Sequence, residues 1–250
     1  MSDIYQPPQS DLEKAPSGEQ IGGSIENGLA GNYQFNFGEV FSEAWQLTSG
    51  FKGTFWLAVL IFFAIYIGIS IVAAIITSLL GTLIPSLEFA IFFEVIVNLI
   101  LSFIIMPIQM GLFIIGIRRA MGESSEASSI MSHYSKIIPL FLTYLLMMVM
   151  VLLGLLLLVL PGIYLMMAYY FALPLVAEKG MSPWQALETS RKTITHRWFS
   201  FFFFGIIVSL IALVATLPLM IGLIWAMPML LIAYAIIYRN MFGINKETLA

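Results

Sequence analysis

Between Thr54 and Tyr238 the chain passes through six stretches that are long, apolar and almost free of charge, near residues 54–80, 89–117, 137–160, 162–178, 198–216 and 221–239. In hydrocarbon a backbone N–H or C=O has no water to bond, so a spanning segment must satisfy these groups within itself as a helix. About 20 apolar residues make one such span. The sequence therefore predicts an all-α, polytopic membrane protein with six transmembrane helices. Composition agrees: 60% of residues are hydrophobic and 10% are charged, against about 25% charged in soluble domains. Too little chain lies outside the runs to build a soluble catalytic domain.

The cations give the runs a direction. Lys52, Arg118, Arg119, Lys136, Lys179, Arg191, Lys192, Arg197 and Arg239 all fall on one side once the runs are folded into three hairpins, and the tips at 81–87, 160–164 and 216–222 carry no Lys or Arg. This is the asymmetry of cytoplasmic loops. It predicts both termini in the cytoplasm.

An amphipathic stretch precedes each hairpin, so the hairpins read as pseudo-repeats with interfacial leaders. In the first, Phe37, Phe41, Ala44, Thr48, Phe51 and Phe55 recur at helical spacing after an Asn36/Glu39 capping box. The second is weaker, with Ile130, Tyr134, Ile137 and Phe141 following a Ser-rich segment. In the third, Ser182, Pro183 and Gln185 start a helix whose apolar stripe is Trp184, Leu187, Ile194 and Trp198. The returning runs share an offset: Pro107 stands eleven residues before Arg118, and Pro228 eleven before Arg239. At 1.5 Å per residue that is roughly 16 Å, near the middle of a core about 30 Å thick, where both prolines should bend their helices. The middle hairpin differs, because Pro161-Gly162 opens its returning helix.

Residues 1–35 are polar and rich in Pro, Gly and Ser, and five carboxylates against Lys14 leave them a net charge of −4. Such a segment buries too little apolar surface to fold alone. It predicts a disordered acidic cytoplasmic tail, with Tyr5, Pro7 and Pro8 as a possible docking peptide, ahead of a six-helix domain at 36–243 and a short tail at 244–250. There is no apolar h-region at the N-terminus and no Cys anywhere.

The order Pro161-Gly162-Ile163-Tyr164, then Phe171-Ala172-Leu173-Pro174-Leu175-Val176-Ala177-Glu178, then Ala186-Leu187-Glu188-Thr189-Ser190 resembles largely uncharacterised bacterial inner-membrane proteins of the YciC-like type, and the membrane domain attached to some glycerophosphodiester phosphodiesterases. The ending from Pro228 to Arg239 and Gly243, and the opening Tyr5-Gln6-Pro7-Pro8, are similar too. The resemblance implies a bacterial inner-membrane domain of six helices with no catalytic residues of its own. The phosphodiesterase chemistry belongs to a separate soluble domain, for which this chain has no segment.

Few residues carry chemistry. Glu94, with Asn98 one turn on and Gln109 deeper in the same run, can line a polar seam, since an ionisable group inside a span is costly and often functional. Glu94 is also 24 residues from Arg118, roughly 36 Å of helix, which favours a solvated or interhelical carboxylate at the outer interface. Gln109 lies two residues past Pro107, where its amide can serve backbone that the proline frees. Arg191, Lys192 and Arg197 can meet a lipid head group or simply anchor the topology. His133 and His196 have no second ligand at metal spacing, Asp occurs only in the tail, and no phosphate loop is present. No cofactor, metal or nucleic acid is predicted.

Two functions fit. One is a non-enzymatic accessory or envelope-maintenance protein that works through helix and lipid contacts, with membrane lipids and a membrane protein as partners. The other is a carrier for a small amphipathic or apolar solute or lipid, with its site near the midplane prolines Pro107 and Pro228.

Overall fold

The computed structural model describes residues 20–245. In chain order its elements are β1 (Gln20–Ile21), α1 (Ile25–Leu29), α2 (Phe37–Thr48), α3 (Lys52–Leu83), α4 (Leu87–Ala120), a 3-10 segment (Ala127–Lys136), α5 (Ile137–Leu157), α6 (Val159–Ala168), α7 (Ala172–Lys179), α8 (Pro183–Thr195), α9 (Trp198–Thr216), α10 (Leu223–Phe242) and β2 (Ile244–Asn245). Six stretches are long and apolar enough to cross a membrane: α3, α4, the 3-10 segment with α5, α6 with α7, α9, and α10. Their lengths are unequal. α3 and α4 have 32 and 34 residues, about 48 and 51 Å, whereas a core of about 30 Å needs only about 20.

The main buried core runs through α2, α4, α7 and α10, around Ala44, Ile115, Leu175, Ile236 and Tyr238, while Leu187 of α8 packs with Tyr169 and Ala172 in a second, smaller cluster. By contrast α3 and the first half of α4 leave Ile67, Leu79, Phe92 and Val95 exposed. Apolar side chains pointing outward are what a bilayer accepts.

Local chemistry sets the boundaries. Asn36 Oδ1 accepts from the Gly38 N–H at 3.1 Å and its amide donates to Glu39 at 2.8 Å, which starts α2. Gly50, at φ +78°, turns the chain out of α2, and Arg119 donates to the Leu47 and Ser49 carbonyls at 2.8 and 2.6 Å. Pro183 opens α8 at its first turn, but Ser182 makes no side-chain cap.

Three expectations change. The middle leader is wound as a 3-10 helix, Ala127–Lys136, and not as an α-helix. Its serines bond back to the chain, Ser129 to Glu126 O and Ser132 to Ser129 O, both at 2.7 Å, which competes with α-helical bonding. The resulting 3-10 segment lies so close to α4 that a Cβ at Gly111 would collide with the Ile130 carbonyl.

The single returning helix expected at 162–178 is two. Pro174 has no N–H for the Tyr170 carbonyl and its ring clashes there, so the helix breaks between Ala168 and Ala172. Ser190, fully buried on α8, bridges the gap by accepting from Phe171 N at 3.2 Å and donating to Ala168 O at 2.7 Å.

The tail is built into the fold from Gln20 onward; the remainder, residues 1–19 with Tyr5, Pro7 and Pro8, lies outside the described residues, as do 246–250. Gln20 pairs with Asn245 and Ile21 with Ile244, and Gly23 N–H donates to the Arg239 carbonyl at 3.0 Å. Farther along, His196 donates to Leu29 O at 2.8 Å, the Tyr33 hydroxyl to Thr193 O at 2.9 Å, and Arg197 sits 5.7 Å from the Tyr33 ring. Partners supplied by α8 and α10 replace the core that the segment lacks.

Leaders and tips are not cleanly separated. Tyr164, on an expected tip, bonds Thr195 at 2.6 Å and accepts from Trp198 at 3.3 Å. With ten residues, α6 reaches only about 15 Å, half a core. Likewise Lys52 stands 5.4 Å from the Trp225 ring, and Trp56 donates to Ile224 O at 3.1 Å, joining the start of α3 to the start of α10.

Candidate functional site

One face of α4 carries Glu94, Asn98, Ser102, Ile105 and Gln109, spaced three or four residues apart and so stacked along a single stripe. α3 and α5 flank this stripe and complete two adjoining pockets. The first, about 290 Å³, is lined by Tyr66 of α3, by Asn98, Leu101, Ser102, Ile105, Met106 and Gln109 of α4, and by Tyr144 of α5. The second, about 440 Å³, is lined by Ile91, Glu94, Val95, Asn98, Leu99 and Ser102 with Tyr144 and Met148. Because Asn98, Ser102 and Tyr144 line both, the two form one groove. From Glu94 to Gln109 it follows α4 for roughly 22 Å.

Its inner bonds are made along the helix. The Asn98 amide donates to Glu94 O, and the Ser102 hydroxyl to Asn98 O, both at 2.8 Å. Glu94, Asn98 and Gln109 are exposed in the chain as it stands. On α3, one turn past Tyr66, the Ser70 hydroxyl is buried with no partner among the described residues. Exposed polar groups along a spanning helix cost free energy unless water, protein or ligand meets them.

The structure thus places Glu94, Asn98 and Gln109 in one groove, and places the other candidates elsewhere. Pro107 is buried within α4, and Gln109, two residues on, borders the groove. Pro228 is buried in α10 and belongs to the α3 contact. Pro161 lies in the first turn of α6, and a Cβ on Gly162 would collide with Leu155, so this pair shapes the α5–α6 turn.

Arg191, Lys192 and Arg197 do not converge on a common site. Arg191 forks onto Glu188 at 2.9 and 2.7 Å, Lys192 meets the same carboxylate at 3.4 Å, and Arg197 turns to Tyr33. The hydrogen bond from Arg191 holds the Glu188 carboxyl below its ordinary range. A head group would have to displace these protein partners.

Sequence reasoning missed Tyr66 and Tyr144, whose place depends on how α3 and α5 pack. It also missed the role of Glu178. That carboxylate is buried, accepts from the Tyr238 hydroxyl at 2.8 Å and pairs with Lys179 at 3.2 Å. Lys136 reaches the neighbouring Ala177 carbonyl. The visible signal was a Glu at the end of an apolar run. Among the described residues, no group of three or more His, Cys, Asp or Glu could hold a metal ion.

Comparison with family models, with curated proteins and with solved structures found no match for the chain.

Proposed function

We propose that this chain is a multi-pass protein of a bacterial inner membrane that takes an amphipathic molecule from the bilayer into the α3–α4–α5 groove, as a binding protein or carrier. The single observation behind this reading is the groove itself: Glu94, Asn98, Ser102, Gln109, Tyr66 and Tyr144 line one continuous recess on helices whose other faces are apolar. A purely structural accessory protein has no need to leave Gln109 open at the depth where α4 crosses the core. The reading is of binding without catalysis, because among the described residues Glu94 is the only carboxylate in that lining and no His accompanies it.

The setting follows from the charges. Arg119, Arg239 and Lys179 gather at the end where β1 meets β2, so this end is read as cytoplasmic, and the pairing of the two described ends supports an even number of crossings. Lys52 departs from the rule, lying beside Trp225 at the start of α10. The equal offsets of Pro107 from Arg118 and of Pro228 from Arg239 support descent of α4 and α10 from one duplicated unit. α2 and α8 are read as leaders at the cytoplasmic boundary. The YciC-like resemblance supports the same setting and assigns no activity.

A photoactivatable alkyl probe with a neutral glyceride head, added to the protein in nanodiscs, tests the proposal. Crosslinks should concentrate on residues 94–109 and 144–148 and fall at least several-fold in Asn98→Leu and Gln109→Leu variants. Labelling spread evenly over all lipid-facing helices, and unchanged by either substitution, would sink it.

A further inference from the structure

We infer that the groove selects amphiphiles whose head is a protonated primary amine; the inference rests on the binding function proposed above and names its ligand class. The argument begins with which hydrogen-bonding positions remain open. A backbone carbonyl can only accept, so the Asn98 contact with Glu94 O fixes the amide orientation: one N–H on the backbone, with the side-chain oxygen and its two lone pairs left over beside a single remaining N–H. The Ser102 proton is likewise committed to Asn98 O, leaving that hydroxyl as an acceptor. Glu94 adds an acceptor-only carboxylate when ionised. Asn98, Ser102 and Glu94 together make an acceptor-rich wall.

Charge and ring chemistry point the same way. Among the described residues no Lys, Arg or His lines either pocket, so there a phosphate or carboxylate head would meet Glu94 with no compensating cation. An alkyl alcohol would offer one donor and no charge. An ammonium group offers three donors and a positive charge, and the faces of Tyr66 and Tyr144 attract it further. The apolar chain of such a molecule has Ile91, Val95, Leu99 and Met148 beside it in the second pocket.

Amines of this kind can be free hydrophobic amines or ethanolamine-type lipid heads, and the chemistry recognised is the same. The test is competition against the neutral photoprobe in phosphatidylcholine nanodiscs, using dodecylamine, dodecanol and dodecyl phosphate. Dodecylamine should displace the probe at concentrations at least about tenfold below the other two. Glu94→Gln, isosteric and at an exposed position, should erase that advantage, each amphiphile being compared with the others within the variant so that any change in its own probe labelling cancels. Nanodiscs containing phosphatidylethanolamine identify the source: weaker probe labelling there assigns the amine to a lipid head, unchanged labelling to a free amine. Equal displacement by dodecanol, or stronger displacement by dodecyl phosphate, would overturn the amine assignment and leave the binding function standing. If the probe never labels the groove, the binding function itself fails.

Discussion

Trp56 donates its indole N–H to the Ile224 carbonyl at 3.1 Å, and Ile224 is the residue whose helical donor Pro228 removes. A proline at position i has no N–H for the carbonyl at i−4. In a span that carbonyl has little water to turn to, so another helix must supply the bond. α3 does so through Trp56, which explains why the start of α3 lies against the start of α10.

A double-mutant cycle checks this account. Trp56→Phe should cost about 1–2 kcal/mol by stranding the carbonyl. In a Pro228→Ala background the backbone donor returns, and the same substitution should cost less than about 0.5 kcal/mol. Thermal unfolding in detergent reads both. Equal costs in the two backgrounds would reduce Trp56 to a packing residue.

Arg239 ties three elements together at the opposite end of α10. Its guanidinium forks onto Glu43 of α2 at 2.7 and 2.9 Å and also donates to the Ala120 carbonyl ending α4 at 2.6 Å. The Arg239 side chain is only 15% exposed and that of Glu43 39%, so the cost of losing the cation falls mainly on buried bonds. Arg239→Met should destabilise by about 2 kcal/mol, and Arg239→Lys should recover less than half because an ammonium lacks the planar fork. Glu43→Gln should cost about 0.5–1 kcal/mol. Unfolding midpoints in detergent provide the ranking.

Tyr33 makes stability depend on alkaline pH. Burial pushes its hydroxyl from an ordinary 10.0 to about 12, opposed by the charge of Arg197, and the hydroxyl donates to Thr193 O. The folded state therefore holds the proton more tightly than the unfolded state. Its contribution is complete below pH 10 and disappears as pH rises through about 12. Melting curves across that interval should show a loss that Tyr33→Phe lacks. An identical decline in the variant would assign the loss to other groups.

What the sequence made legible, and what it hid, follows from the range of each interaction. The six runs were visible because lipid forces each span to satisfy its own backbone. Glu94, Asn98 and Gln109 were visible as one stripe, since helical periodicity is a local property. Tyr66 and Tyr144 were not, because their position depends on the packing of α3 and α5 against α4. The break at Tyr170 was within reach: the clash of Pro174 with the carbonyl four residues earlier predicts it, yet the apolar run reads as unbroken. The course of Gln20 to Tyr33 had no local signature. Glycine-rich composition there reads as disorder, while Gly22, Gly23 and Gly31 are sites where Arg239, Asn240 and His196 approach too closely for a side chain.

The pairing of Gln20 and Ile21 with Asn245 and Ile244 also sets an order of events during synthesis. The first described residues leave the ribosome ahead of every span, but their partners come more than two hundred residues later. No local contact can stand in for that closure, and long-range closure is entropically slow. Every apolar run can therefore enter the bilayer before the N-terminal strap is seated. The end of the strap closes last, so an assembly stalled before Ile244 would leave Gln20 and Ile21 unpaired even where Leu29 and Tyr33 are already held by His196 and Thr193.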